Sequence, residues 1–179
     1  MNYEFINAML QGYEQLQILA DISDRKVMDI AIKSSGIDGQ PHEIFGDIKA
    51  ITDLTNYKID LINLKVLVMD MINSLPYKYR QVARKRYIER KKVHDIAKML
   101  GLSIRSIFRL LEDLPEVCNE YFIKNGFDDD WFLKTYGNQK WLMKLCVQKT
   151  KNTQKKEKPD IKIIPKAVYM QRQGIMYEK

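Results

Sequence analysis

The 179-residue sequence predicts an all-α protein: an N-terminal helical hairpin of coiled-coil character, a compact pair of short helices, and a less defined C-terminal extension. Three observations carry this. Eight glycines and five prolines are few, and almost no segment alternates apolar and polar residues as a half-buried strand would. Apolar residues recur at spacings of three and four through most of residues 3–75, the period of one helix face. The stretch VHDIAKMLGLSIRSIFRLL, Val93 to Leu111, then reads as two short amphipathic helices broken at a glycine.

In the first segment, about Tyr3 to Lys33, Ile6, Met9, Tyr13, Leu16 and Ala20 line one face, and Val27, Met28, Ile30 and Ala31 extend the apolar content past Ser23. SSGIDGQP, Ser34 to Pro41, is dense in turn formers and predicts a connector. A long helix follows from about Glu43 to Asn73. Its seam, Leu54, Tyr57, Leu61, Leu64, Val68, Met71 and Leu75, keeps a strict three-four alternation. Ile48, Ile51, Ile59, Ile62, Val66 and Met69 make a second apolar stripe. The first helix can cover one stripe as an antiparallel partner. A homodimer through Leu54, Leu61, Leu64, Val68 and Met71 would use a second copy for the other. Packing of both stripes within one chain is the alternative, and heptads alone do not decide between them.

Residues 1–73 therefore form one expected segment, and residues 74–114 the next. Ser74 is placed to cap a new helix and Pro76 to sit in its first turn, where a missing N–H costs nothing. Val82, Ala83, Tyr87 and Ile88 should face inward and the basic residues between them outward. In Val93–Leu111, Val93, Ile96, Ala97 and Leu100 share a face. Gly101 suits a left-handed helix end, and Ser103 can cap the following helix, expected over Ser103–Leu114. A small Ala97 permits the steep close crossing of a helix-turn-helix, with Ile107, Leu110 and Leu111 as the second helix's buried face. An ordinary helical hairpin is the competing reading.

Beyond Leu114-Pro115 the pattern weakens. Residues 115–149 predict a short helical extension, with Trp131–Tyr136 and Lys140–Val147 as helices and Asp128, Asp129 and Asp130 as a solvated turn or capping cluster. Residues 150–179 are basic and without clear periodicity, a composition that predicts a flexible tail.

The net charge of +7 is unevenly spread: −5 over residues 1–75, +9 over 76–110 and +3 over 111–179. A basic cluster on and before the short helices is the electrostatic footprint of a polyanion. Two cysteines, Cys118 and Cys146, supply no disulfide framework or CxxC pair. No secretory leader or membrane span is read, so a cytoplasmic protein without membrane contact is expected. Catalysis has little to stand on. His42 and His94 are the only histidines, the three aspartates lack a companion base or phosphate loop, and both tryptophans suit packing. The expectation is a non-enzyme without cofactor or metal.

Leu75-Pro76, the YRQV of Tyr79–Val82, Arg86-Tyr87, the DIAKMLGLS of Asp95–Ser103 and the IRSIFRLL of Ile104–Leu111 together resemble region four of sigma-70-type factors. The order of an acidic helix, LP and this unit is similar to small phage and prophage sigma-like regulators of late transcription. The resemblance implies binding to double-stranded DNA and contact with RNA polymerase. Nothing upstream resembles the sigma region that opens promoters, which favours a DNA-binding regulator over a full initiation factor.

A recognition helix presents its N-terminal turns to base edges. Here these are Ser103, Ile104, Arg105, Ser106, Phe108 and Arg109. Arg105 and Arg109, four apart, can each grip guanine O6 and N7, and Ile104 or Phe108 can touch a thymine methyl. Arg84, Lys85, Arg86, Arg90, Lys91, Lys92 and Lys98 are the expected phosphate contacts, which add affinity without sequence information. Two rivals remain open: an RNA polymerase-docking protein with weak DNA affinity, and a DNA-packaging or recombination accessory forming a ring.

Overall fold

The computed structural model describes residues 1–35 and 43–154, with side chains described through 147. Among these residues every regular element is helical. Helix α1 spans Tyr3–Ser34 and α2 spans Ile44–Ser74. α1 begins where the Asn2 side chain accepts from the Glu4 N–H at 2.9 Å, satisfying one of the four N–H groups that a helix start leaves without partners. The two helices run antiparallel: Lys58 reaches Asp24 and Lys65 reaches Gln17, so positions along one helix descend as those along the other rise.

α1 covers the strict seam of α2. Leu61, Leu64, Val68 and Met71 are at most 2% exposed, and Leu54 and Tyr57 are half-buried. The homodimer expected through Leu54, Leu61, Leu64, Val68 and Met71 is thereby corrected. Leu61, Leu64, Val68 and Met71 already meet Met9, Leu16 and Ala20 and the helices downstream in a single core, and Leu54 is half-buried, so this seam is not open to a second copy.

Past Ser74 the expected capping does not occur. The Ser74 hydroxyl donates back to the Met71 carbonyl at 2.7 Å and so helps close α2. Pro76 stands at the N-cap of α3, Tyr77–Ala83, one position ahead of the first turn. α3 widens into a π-helical turn over Arg84–Ile88 and ends at Arg90, whose φ of 58° is left-handed. α4 (Val93–Leu100) and α5 (Ile104–Lys124) follow.

α5 is the main departure from the sequence reading. It does not stop near Leu114 but carries Pro115 inside it. Proline forfeits a hydrogen bond to the carbonyl four residues back, a cost of roughly 3 kcal/mol. Burial offsets that cost. Leu114, Cys118 and Phe122, four apart, are fully buried against the hairpin, and one such side chain is worth about 1.5–3 kcal/mol.

α6 (Asp129–Tyr136) and α7 (Lys140–Gln154) complete the described chain. Asp128 caps α6, its carboxylate accepting from the Trp131 N–H at 2.7 Å. Phe132 and Tyr136 of α6, with Leu142 and Cys146 of α7, enter the hairpin core. α7 crosses α1 at Gly12, where an added Cβ would lie 2.7 Å from the Trp141 ring, so only glycine admits that contact. Residues Met1–Val147 form one compact unit, and α7 continues into the stretch from Thr150 expected to lack structure. Most of the connector read at Ser34–Pro41, His42, and the tail from residue 155 lie outside the described residues; Ser34 itself belongs to α1.

Candidate nucleic-acid interface

A small second core holds the α3–α5 unit together. Val82, Ile96, Ala97 and Ile107 are buried, with Val93, Leu100, Leu102, Leu110 and Leu111 packed around them. Gly101 takes φ 64° and ψ 30°, and its neighbour Leu102 donates its N–H to the Ala97 carbonyl at 3.0 Å, closing α4 in a left-handed turn. Ser103 caps α5, its hydroxyl oxygen accepting from the Ser106 N–H at 3.1 Å. These features join α4 and α5 into the helix-turn-helix, with Ala97 buried in the core that the two helices share.

The face of α5 turned away from this core is open. Arg105 and Arg109 are exposed, as are Ile104 at 45% and Phe108 at 52%, so the four residues form one contiguous surface over the first turns. Ser103 and Ser106 are less free. Their hydroxyls lie 2.8 Å apart, and the Ser103 oxygen is committed to the cap. Beside them a cleft of about 380 Å³ is lined by Lys78, Tyr79, Leu102, Ser106, Arg109, Leu110 and Asp113. Lys78, Tyr79 and Asp113 carry no site signal in the sequence. No periodicity marks them, because α3 and α5 meet only through the fold.

The basic residues divide into two sets. Arg84, Arg86, Lys91, Lys92 and Lys98 are exposed around the π turn, its link to α4, and α4 itself. Lys85 is mostly covered, with 15% of its side chain exposed, and lies 3.8 Å from Glu89. Arg90 turns toward the hairpin and pairs with Glu14 of α1. Its left-handed backbone, which costs a non-glycine residue about 1–2 kcal/mol, ends the π turn where Lys91 N–H meets the Lys85 carbonyl at 2.9 Å.

His94 is exposed on α4, and among the described residues no cluster of histidine, cysteine or carboxylate side chains is grouped to hold a metal. Both thiols are buried. Desolvation pushes Cys118 up to about 12 and Cys146 up to about 11 from an ordinary 9.0. Thiols so shifted carry little thiolate at neutral pH and make poor nucleophiles. No helix among the described residues is long and apolar enough to cross a membrane.

No curated protein and no solved structure matches the chain. A family model does: residues 65–116, from the last turns of α2 through the crossing into α5, match sigma-70, region 4. The match takes in the complete second core and the open face of α5, and it ends where α5 enters the hairpin core. The helix-turn-helix of this chain is thus similar to region 4 of sigma-70, an element of transcription.

Proposed function

We propose that the protein is a sequence-specific, double-stranded-DNA-binding transcription regulator of phage or prophage origin. It acts in the bacterial cytoplasm without catalysis or cofactor, and α5 reads the major groove. The observation that supports this best is the joint exposure of Ile104, Arg105, Phe108 and Arg109 at the start of a capped helix within the region-4 match. Arginine supplies a planar fork matched to guanine, and the apolar pair suits thymine methyls. Arg84, Arg86, Lys91, Lys92 and Lys98 surround that face and supply phosphate contacts whose affinity falls with salt.

Selection of bound duplexes from a random pool at two salt concentrations tests the reading. A motif that persists at the higher salt is the expected outcome. Binding that vanishes without a motif sinks sequence reading and leaves a basic patch.

A second reading has its own support. Met99 is 55% exposed and, with Ile104 and Phe108, gives the α4–α5 tip an apolar share that also fits a protein surface. In this reading the unit docks on RNA polymerase and contributes little DNA affinity. Pull-down of purified core polymerase, lost on Phe108→Ala but indifferent to added duplex, would favour it.

A further inference from the structure

The outer face of α2 remains uncovered. Ile48, Ile59, Ile62 and Val66 are 56%, 48%, 43% and 52% exposed, and Ile51 and Met69 are half-buried beside them. At 100° per residue these positions fall on the side of α2 turned from the seam that α1 occupies. Ile44 and Phe45 extend the apolar surface to the start of the helix, at 64% and 84% exposed. From Ile44 to Met69 the stripe runs about 38 Å at the α-helical rise of about 1.5 Å per residue.

We infer that a second copy of this chain docks along this stripe, joining two protomers through the outer faces of their α2 helices. The surface is kept apolar in a specific way. Thr52 and Thr55, which fall on it or at its margin, donate their hydroxyls to the Ile48 and Ile51 carbonyls, both at 2.8 Å, and so present methyl groups outward. Lys58 and Lys65 turn back to Asp24 and Gln17 of α1, away from the stripe. A symmetric contact sets each side chain near its own kind, so a charge there would meet a like charge. This stripe carries none.

The spacing suits the same partner. Ile59, Ile62, Val66 and Met69 keep the three-four repeat of a coiled-coil seam, Thr55 bridges the eight positions back to Ile51 and Ile48 on the same face, and β-branched residues that pack between helices predominate. At roughly 170–200 Å² of full accessible surface per aliphatic residue and about 240 Å² for phenylalanine, the exposed parts of Ile44, Phe45, Ile48, Ile59, Ile62 and Val66 add to about 700 Å², near the ~800 Å² per partner found in stable dimers. Among the described residues the arm has no other cover. Buried positions in α1 end at Ser23 and those in α2 begin at Leu61, so the far half of the hairpin is only two helices thick. The corrected dimer used the inner seam; this one uses the opposite face and needs no DNA.

Sedimentation equilibrium on the full chain without DNA tests it. Wild type should give a mass twice the 21.2 kDa of one chain. Ile59→Lys with Ile62→Lys should raise the dimer dissociation constant by at least about a hundredfold, as expected for apolar residues central to an interface, with the helical circular dichroism retained. Should the lysine pair misfold, Ile62→Ser with Val66→Ser asks the same question with less perturbation. A monomer up to the highest soluble concentration, or a dimer unmoved by either folded double variant, would overturn the proposal. Since no arm of the test contains DNA, failure here is separable from failure of the DNA-binding reading.

Discussion

Arg105 has the largest predicted effect of any single residue on the proposed function. Arg105→Ala should weaken binding to the preferred site by roughly 5- to 150-fold, the equivalent of about 1–3 kcal/mol for a bidentate base contact. Random duplex should lose far less. Equal losses in a titration against both duplexes would reduce Arg105 to a phosphate contact. Arg84→Ala should weaken both duplexes alike and flatten the slope of affinity against salt by about one unit. Arg90→Ala should do neither strongly, since that side chain is held by Glu14. Gly101 makes a separate prediction, because its φ of 64° penalises any side chain. Gly101→Val should cost at least about 1–2 kcal/mol in urea unfolding.

At the scale of elements, the hairpin seam and the long α5 carry the predictions. Leu61→Asp with Leu64→Asp places two charges in a core where each leucine is at most 2% exposed. Burying an unpaired charge and losing the packed side chain should each cost several kcal/mol, so the variant should lose its cooperative melt. A retained melting temperature would show that the seam is drawn wrongly. Both long helices and the helix-turn-helix spacing were legible in the sequence, because each writes its buried face as a three-four repeat; the two C-terminal helices, where that pattern weakens, show there only as short apolar stretches. The end of α5 was not. Leu114-Pro115 reads as a stop, and what overrides it is burial of Leu114, Cys118 and Phe122 against helices distant in sequence. The role of Gly12 was equally silent, since the Trp141 ring that demands it is supplied by α7. The pairing of Arg90 with Glu14 also needed the fold, for a basic run gives no sign of which member meets a carboxylate of a distant helix.

For the whole molecule, stability should fall on the alkaline side. Cys118, Cys146 and Tyr136 are raised by burial to about 12, 11 and 12 from 9.0, 9.0 and 10.0. A raised value means that the fold favours the protonated form. The unfolded chain therefore ionises first, so stability present below pH 9 declines as pH climbs toward the folded values. Urea titrations at rising pH should show this decline, and a midpoint that stays level past pH 10 would contradict it. Below that range both thiols should resist a thiol reagent until the protein unfolds. Residues 74–114 alone should not hold a stable fold, because the second core is small and α5 loses the burial that offsets Pro115. A cooperative melt of that fragment would show the helix-turn-helix to be autonomous.

The continuity of α5 bears on how errors in a target sequence are treated. One end presents Ile104 and Arg105, and the other is anchored at Phe122, so the reading turns cannot tilt or slide without moving buried side chains. Under the proposed function, such a reader arrives preorganised and gives up little freedom on docking. It is equally unable to shift toward a mispaired register. Substitutions in the operator should therefore be rejected position by position, each with its own full penalty, and compensation between neighbouring positions should be small.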